Sequence, residues 1–246
     1  MTAGALIELR SVSKAYALGE SRVAALDDIS VNIGAGEFTA IWGPSGSGKS
    51  TLLNLIGLID LPSQGKVMIN GQDTSALDDG ALTDIRYRTL GFVFQNYNLV
   101  PVLSALENVM LPLQIRGESG KLARQRATDL LDAVGLRTLA GSRPDKMSGG
   151  QRQRVAVARA LVTHPDIVLA DEPTANLDSH NSQMIIDLMR DLNRSRGVTF
   201  VFSTHDPQLL DSVDRRLQMR DGRIINDHQH LLVQLKKPLP ASATGA

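Results

Sequence analysis

Apolar and polar residues alternate through Leu6, Ile7, Leu9 and Val12, and again through Ile29, Val31 and Ile33. That period predicts strands of a half-exposed sheet. Phe38, Thr39, Ala40, Ile41 and Trp42 form a short, largely apolar run that ends at a glycine-rich turn, as a buried strand does. A helix is expected next, through Leu52, Leu53, Leu55 and Ile56. Residues 66–69 read as another strand, closed by a turn at Asn70-Gly71. From about Asp84 to Val162 the period lengthens to that of a helix, at Leu130, Leu131 and Val134 and at Val155, Ala158, Leu161 and Val162. Pro101, Gly117 and Pro144 break it. Beyond lie two buried-strand candidates, residues 167–170 and 198–202, separated by a helix from about Ser179 to Arg194. Such alternation of strand and helix implies βαβ units and a mostly parallel sheet.

Composition narrows the chemistry. The 246 residues suit one large domain, or a domain with a subdomain, and are ample for a buried core. The absence of cysteine excludes a disulfide scaffold, a thiolate zinc site and a cysteine nucleophile. With 26 Lys+Arg against 26 Asp+Glu, the chain lacks the basic surplus of a protein that coats nucleic acid. The longest uncharged stretch, residues 89–106, contains Gly91, Gln95, Asn96, Asn98 and Pro101, which lipid penalises, so no membrane span is expected. Nor do the first residues have the basic region and apolar run of an export signal. The chain reads as soluble and cytoplasmic.

The nine residues Gly43-Pro44-Ser45-Gly46-Ser47-Gly48-Lys49-Ser50-Thr51 fit G-x-x-x-x-G-K-[ST] between a predicted strand and a predicted helix. Glycines there let backbone N–H groups curl around phosphates, and the helix N-terminus adds partial positive charge. Lys49 supplies a point charge, Ser50 a hydroxyl for Mg²⁺ and Thr51 a contact to the α-phosphate. The strand at 167–170 ends in Asp171 and Glu172. Side chains alternate across a strand, so neighbouring carboxylates can take different tasks. Asp171 suits the Mg²⁺ shell and Glu172 suits polarising a water for attack on the γ-phosphate. Taken alone, such a pair is a solvated turn; behind a phosphate loop it becomes the expected metal ligand and base.

Ser148-Gly149-Gly150-Gln151 precedes another helix, with Ser148 in the N-cap position. It reads either as an ordinary capped helix or as a second anion-binding helix N-terminus. Two such elements for one nucleotide suggest a site completed across an isologous dimer.

The order of these motifs is similar to that of the ATP-binding subunit of an ABC transporter, over nearly all of residues 5–230. Gly43 to Thr51 resembles the Walker A loop, Gln95 the Q-loop, and Ser148 to Gln151 the family signature, with Met147 where leucine is commoner. Asp171 and Glu172 resemble Walker B and its catalytic glutamate. Asp178, in Ala175-Asn176-Leu177-Asp178, resembles the D-loop, His205 the switch histidine, and Tyr16 the aromatic residue that stacks on adenine. The resemblance implies an α/β P-loop NTPase (RecA-like) core with a mostly parallel sheet, an N-terminal antiparallel β subdomain and an inserted α-helical subdomain. Its expected divisions are 1–85 and 163–230 for the core, 86–162 for the helical subdomain and 231–246 for a flexible tail.

The same resemblance implies ATP and Mg²⁺ as ligands. Catalysis falls to Glu172, His205, Gln95 and Lys49. The metal falls to Ser50, Gln95 and Asp171. Nucleotide binding falls to Tyr16, Gly43, Ser45, Gly46, Ser47, Gly48, Lys49, Ser50, Thr51, Gln95, Ser148, Gly149, Gly150, Gln151, Asp178 and His205. Histidine, with an ordinary pKa of about 6.5, is a stronger base than glutamate at about 4.3. Phosphoryl transfer depends more on placement and charge than on base strength, which favours Glu172 as base and His205 as the group that orients it. His164, His180 and His228 fit no metal spacing, and Arg152, Arg154 and Arg159 read as a charged helix face.

Ser148 follows Lys49 by only 99 positions, which leaves no room for the long coiled coil of DNA-repair ABC proteins. A single set of motifs argues against translation-type members. Residues 90–101, Ala105 to Val109, 169–177 and Met219 to Arg223 resemble the subgroup that serves lipoprotein release and macrolide export, which has a cell-division relative. Ala175 departs from the glycine of many members. The resemblance therefore implies a head-to-tail homodimer on the cytoplasmic face of the inner membrane. It would bind integral membrane permease subunits, touch the membrane only through them and bind no nucleic acid. A non-transport signalling or cell-division complex is the alternative. Tyr97 and Leu99 either meet a coupling helix of the partner or pack the helical subdomain.

Overall fold

The computed structural model describes residues 5–19 and 21–229; the tail expected over 231–246 lies outside them. Two long strands, β1 (Ile7–Leu18) and β2 (Ser21–Ile33), lead into β3 (Phe38–Trp42) and α1 (Lys49–Ile56). A hairpin of β4 (Gln64–Ile69) and β5 (Gln72–Asp73) precedes α2 (Asp79–Thr89) and the short β6 (Leu90–Val93). Next come α3 (Ala105–Ile115), α4 (Gly120–Ala133) and α5 (Gly149–Leu161). The chain continues through β7 (Ile167–Ala170), α6 (Ser179–Arg196), β8 (Thr199–Thr204), β9 (Arg215–Arg220) and β10 (Arg223–Gln229).

The strands form two sheets. One is antiparallel, in the order β2-β1-β4-β5; the other runs β10-β9-β3-β8-β7-β6. All neighbours in the second are parallel except β9 and β10. The Asn70-Gly71 turn closes β4 onto β5 with φ of 51° and 71's φ of 75°, the positive pair a type I′ hairpin requires. Residues 90–93 lie inside the stretch with helical character, yet they form the edge strand β6. Four residues are too few to display a period, so only pairing with β7 reveals the strand.

Both faces of the larger sheet are covered, which explains the near-continuous apolar runs in its strands. Phe38, Ala40, Val168, Ala170, Phe200 and Phe202 face a core shared with α3, α4, α5 and α6. Ile41, Ile167, Leu169 and Val201 face a second core with α1 and the antiparallel sheet. Phe38 packs on Phe200 and Phe202 at ring-centroid distances of 5.7 and 5.3 Å. Among the described residues no helix is long and apolar enough to cross a membrane.

Candidate functional site

Because β3, β8 and β7 are parallel neighbours, their C-terminal ends lie along one edge of the sheet. The phosphate-loop motif follows β3, His205 follows β8 and Asp171 follows β7. Ser50 and Asp171, 121 positions apart in sequence, thus meet by topology alone. Ligands in open α/β sheets bind at this edge.

The loop is shaped to hold an anion. Gly46 and Gly48 have φ of 76° and 99°, a region other residues enter at a cost. A β-carbon on Gly48 would lie 2.5 Å from the carbonyl oxygen of Ala25. Gly48 caps α1 without any side-chain hydrogen bond, and the first turn carries no acid. The free N–H groups there suit phosphate oxygens. The Ser47 hydroxyl is buried and has no hydrogen-bond partner among the described residues. Lys49 is 6% exposed, and its ammonium donates to the carbonyls of Gly43 and Pro44 at 2.9 Å each. It is folded over the loop it belongs to. Ser45 is exposed in the loop and Thr51 half-buried on the first turn of α1.

Opposite the loop, the Ser50 hydroxyl donates to Oδ1 of Asp171 at 3.0 Å. Ser203, fully buried on β8, donates to the same oxygen at 2.7 Å and accepts the Glu172 N–H at 2.8 Å. Glu172 has φ of 44°, a left-handed conformation that costs a non-glycine residue about 1–2 kcal/mol. The Ser203 hydroxyl holds it there. The Glu172 carboxylate then reaches Nδ1 of His205 at 3.2 Å. Glu172, Thr204, His205, Ala175 and Leu177 line a cavity of about 370 Å³.

Hydroxyl and carboxylate oxygens are the donors a hard divalent cation takes, and Mg²⁺ is held by one or two carboxylates with substrate phosphates and water. Ser50 and Asp171 fit that chemistry. Among the described residues there is no cluster of three acids, histidines or cysteines able to cage a metal without such help.

Gln95 is exposed just beyond β6, and its carbonyl accepts the Asn176 amide at 2.9 Å. Asp178 caps α6, accepting the Asn181 N–H and side-chain amide at 2.8 Å each. Those bonds, the backbone one foremost, hold its carboxyl below the usual carboxylate range. Ser148 caps α5 in a reciprocal capping box with Gln151 and is exposed. Of Gly149 and Gly150, the second is buried. Among the described residues no hydrogen bond joins this segment to the phosphate loop of its own chain. Tyr16, 38% exposed on β1, donates its hydroxyl to Oδ2 of Asp60 at 2.8 Å.

Several participants carry no sequence signal. Ser203, Asp60 and Asn176 act through partners 31, 44 and 81 positions away. The arginines of α5 are not simply a charged face. Arg159 is turned inward, donating to the carbonyls of Tyr97 and Asn98 at 2.8 and 2.5 Å, and burial lowers its pKa. Arg152 lies 4.9 Å from the Tyr97 ring centroid. Tyr97 and Leu99 are half-buried against the helical core. The neighbouring open surface is an apolar groove of about 300 Å³ walled by Thr83, Tyr87, Phe94, Pro112 and Arg159.

A profile of the family described as "ABC transporter" matches residues 26–175. The lipoprotein-releasing system ATP-binding protein LolD of Anaeromyxobacter dehalogenans (strain 2CP-C) is 50% identical over 225 residues, 91% of this chain and 94% of that protein. The uncharacterized ABC transporter ATP-binding protein YvrO of Bacillus subtilis (strain 168) is 46% identical over 91% of this chain and 97% of its own. Among solved structures, the dimeric post-hydrolysis state of the ATP-binding cassette MJ0796, bound to ADP and Pi, superposes with a TM-score of 0.84. It is 44% identical and is matched over 91% of this chain and 98% of its own.

Proposed function

The chain belongs to the ABC transporter family as its ATP-binding, ATP-hydrolysing subunit, and on that premise we propose how its residues divide the work and which transporter it serves. One observation carries the division of work: the uncapped start of α1, the Ser50–Asp171 pair and the Glu172–His205 pair share one edge of the sheet. Gly43 to Thr51 hold the triphosphate, and Lys49 leaves its loop carbonyls for the phosphate oxygens. Ser50, Asp171 and Gln95 hold Mg²⁺, which when bound neutralises charge on the β- and γ-phosphates. Glu172 takes a proton from the attacking water. His205 fixes the Glu172 carboxylate and faces the γ-phosphate, and Tyr16 stacks on adenine.

Among the described residues Ser148 to Gln151 make no hydrogen bond to their own chain's phosphate loop, and the start of α5 offers N–H groups to an anion. A head-to-tail homodimer supplies one: each signature segment closes over the partner's nucleotide, beside Asp178. The part of segment 86–162 beyond β6 acts as the helical subdomain, carrying Gln95 and the signature on one body. The groove beside Phe94 receives a helix of a membrane permease subunit, which places the chain on the cytoplasmic face of the cell membrane. The likeness to LolD favours lipoprotein release, in which ATP-driven closure pulls on the partner instead of moving a solute.

The test is purification from native membranes with identification of the bound membrane chain, together with its ATPase activity. A permease with a large periplasmic domain that stimulates hydrolysis is expected. A permease paired with an import binding protein would overturn the lipoprotein-release assignment.

A further inference from the structure

The loop after α1 is stitched to β1 by bonds that phosphate binding does not require. Ser63 N–H donates to the Ser13 carbonyl at 2.8 Å, and the Ala15 N–H donates to the Ser63 hydroxyl at 3.1 Å. Lys14 donates to Oδ1 of Asp60 at 2.6 Å and to the Leu61 carbonyl at 2.7 Å. The Leu61 N–H donates to the same Oδ1 at 2.7 Å, while Oδ2 takes the Tyr16 hydroxyl. Both carboxylate oxygens of Asp60 are therefore engaged. The Lys14 side chain is 13% exposed and that of Asp60 29%, so this ion pair is partly shielded from water and holds its geometry better than a fully exposed pair.

Lys14 also covers one side of the Tyr16 ring, its ammonium 5.0 Å from the centroid. Register irregularities flank Lys14 on β1, at 12/14 and 14/15. Bulges of this kind re-aim side chains. Thr51, on the first turn of α1, lies beside the Tyr16 phenol. The ring is thus tied at its hydroxyl to a loop whose preceding helix begins at the phosphate loop.

We propose that Asp60 is a positioning residue for the nucleotide base: by gripping the Tyr16 hydroxyl and the Lys14 ammonium, it fixes the tyrosine ring relative to the phosphate loop. This rests on the reading of Tyr16 as the base-stacking residue. An unrestrained tyrosine on an exposed strand loses rotamer freedom when a base stacks on it; a clamped one has lost it already. Asp60 touches no nucleotide in this scheme. It raises affinity for the base-bearing ligand and leaves the phosphates alone. Partial burial works against ionisation of Asp60, but the bonds from Lys14, Tyr16 and Leu61 outweigh it and hold the carboxyl below its usual range.

The experiment compares binding of ATP and of inorganic tripolyphosphate to the full chain and to Asp60→Ala, Tyr16→Phe, Tyr16→Ala and the Asp60→Ala/Tyr16→Ala double variant. Asp60→Ala and Tyr16→Phe should each weaken ATP about 3- to 10-fold. In Asp60→Ala, tripolyphosphate affinity and saturated turnover should stay unchanged. Tyr16→Ala should cost more, and the double variant no more than Tyr16→Ala alone. The Tyr16 phenolate transition, raised by burial and next by Asp60, should fall in Asp60→Ala. Equal losses of ATP and tripolyphosphate would overturn the proposal by exposing a general distortion of α1. Unchanged ATP affinity in Asp60→Ala, with Tyr16→Ala still impaired, would overturn the positioning role alone. Unchanged affinity in Tyr16→Ala would overturn the base-stacking reading beneath it. Asp60→Asn, which keeps the shape and removes the charge, carries the same comparison if the alanine variant does not fold.

Discussion

Nδ1 of His205 lies 3.2 Å from Oε1 of Glu172, across the ends of two adjacent parallel strands. The two groups that compete for the role of base are therefore in contact, and the acid is the more enclosed, at 23% side-chain exposure against 61%. Glu172→Gln keeps the shape and removes the proton acceptor. Turnover should fall at least about 100-fold while ATP binding persists, and an ATP-bound dimer should accumulate on size exclusion. Near-normal hydrolysis would transfer the base role to His205.

Completion of the site by a second chain makes a distinct prediction. Lys49→Ala loses its own phosphate loop, and Ser148→Arg blocks the signature it offers to a partner. In the Glu172→Gln background neither should dimerise alone with ATP, whereas an equimolar mixture should, because each mixed dimer retains one intact site. A mixture that stays monomeric in analytical ultracentrifugation would contradict the head-to-tail arrangement.

Ser203 joins the two acids through one buried hydroxyl. Ser203→Ala leaves the Glu172 N–H without its acceptor and should lower unfolding stability by about 1–2 kcal/mol. The midpoint of Mg²⁺ activation should rise as well, since Asp171 loses its anchor. Denaturant titration and a Mg²⁺ series read the two effects separately.

None of the residues that line the groove beside Phe94 is assigned to the nucleotide or the metal, so blocking it should separate coupling from catalysis. Thr83→Arg places a long charged side chain at its wall. Basal hydrolysis of the isolated chain should stay within about 2-fold of normal, and stimulation by the reconstituted membrane partner should disappear. Full stimulation would move the docking surface elsewhere.

Acid should weaken the fold through Asp227. Arg215, nearly buried, donates to its two carboxylate oxygens at 2.8 and 2.6 Å, and these bonds hold the Asp227 pKa below its ordinary value. A carboxyl with a depressed folded pKa stabilises above its unfolded pKa, about 3.9, and that stabilisation is lost as pH falls through the lower folded value. Asp227→Asn should therefore cost about 1 kcal/mol at pH 7, discounted because the carboxylate is partly solvated, and nearly nothing once the pH has fallen below the folded pKa of Asp227. A pH-independent difference in thermal melts would refute this account.

The sequence by itself determined the strands and helices that carry a period, the phosphate loop with its flanking strand and helix, and the acids at the end of β7. Each depends on residues close in the chain: alternation buries one face, glycines permit positive φ, and a serine caps the helix it precedes. Tertiary structure alone decided that β6 is a strand, because four residues show no period until a neighbour pairs with them. It alone placed Ser203 under Asp171 and Glu172, Asp60 under Tyr16, and Arg159 beneath the Tyr97 and Asn98 carbonyls. A serine in an apolar strand, an aspartate in a loop and an arginine on a helix look alike wherever they occur. What distinguishes these three is the group at the far end of a hydrogen bond, and chain folding brings that group from 31 to 62 positions away.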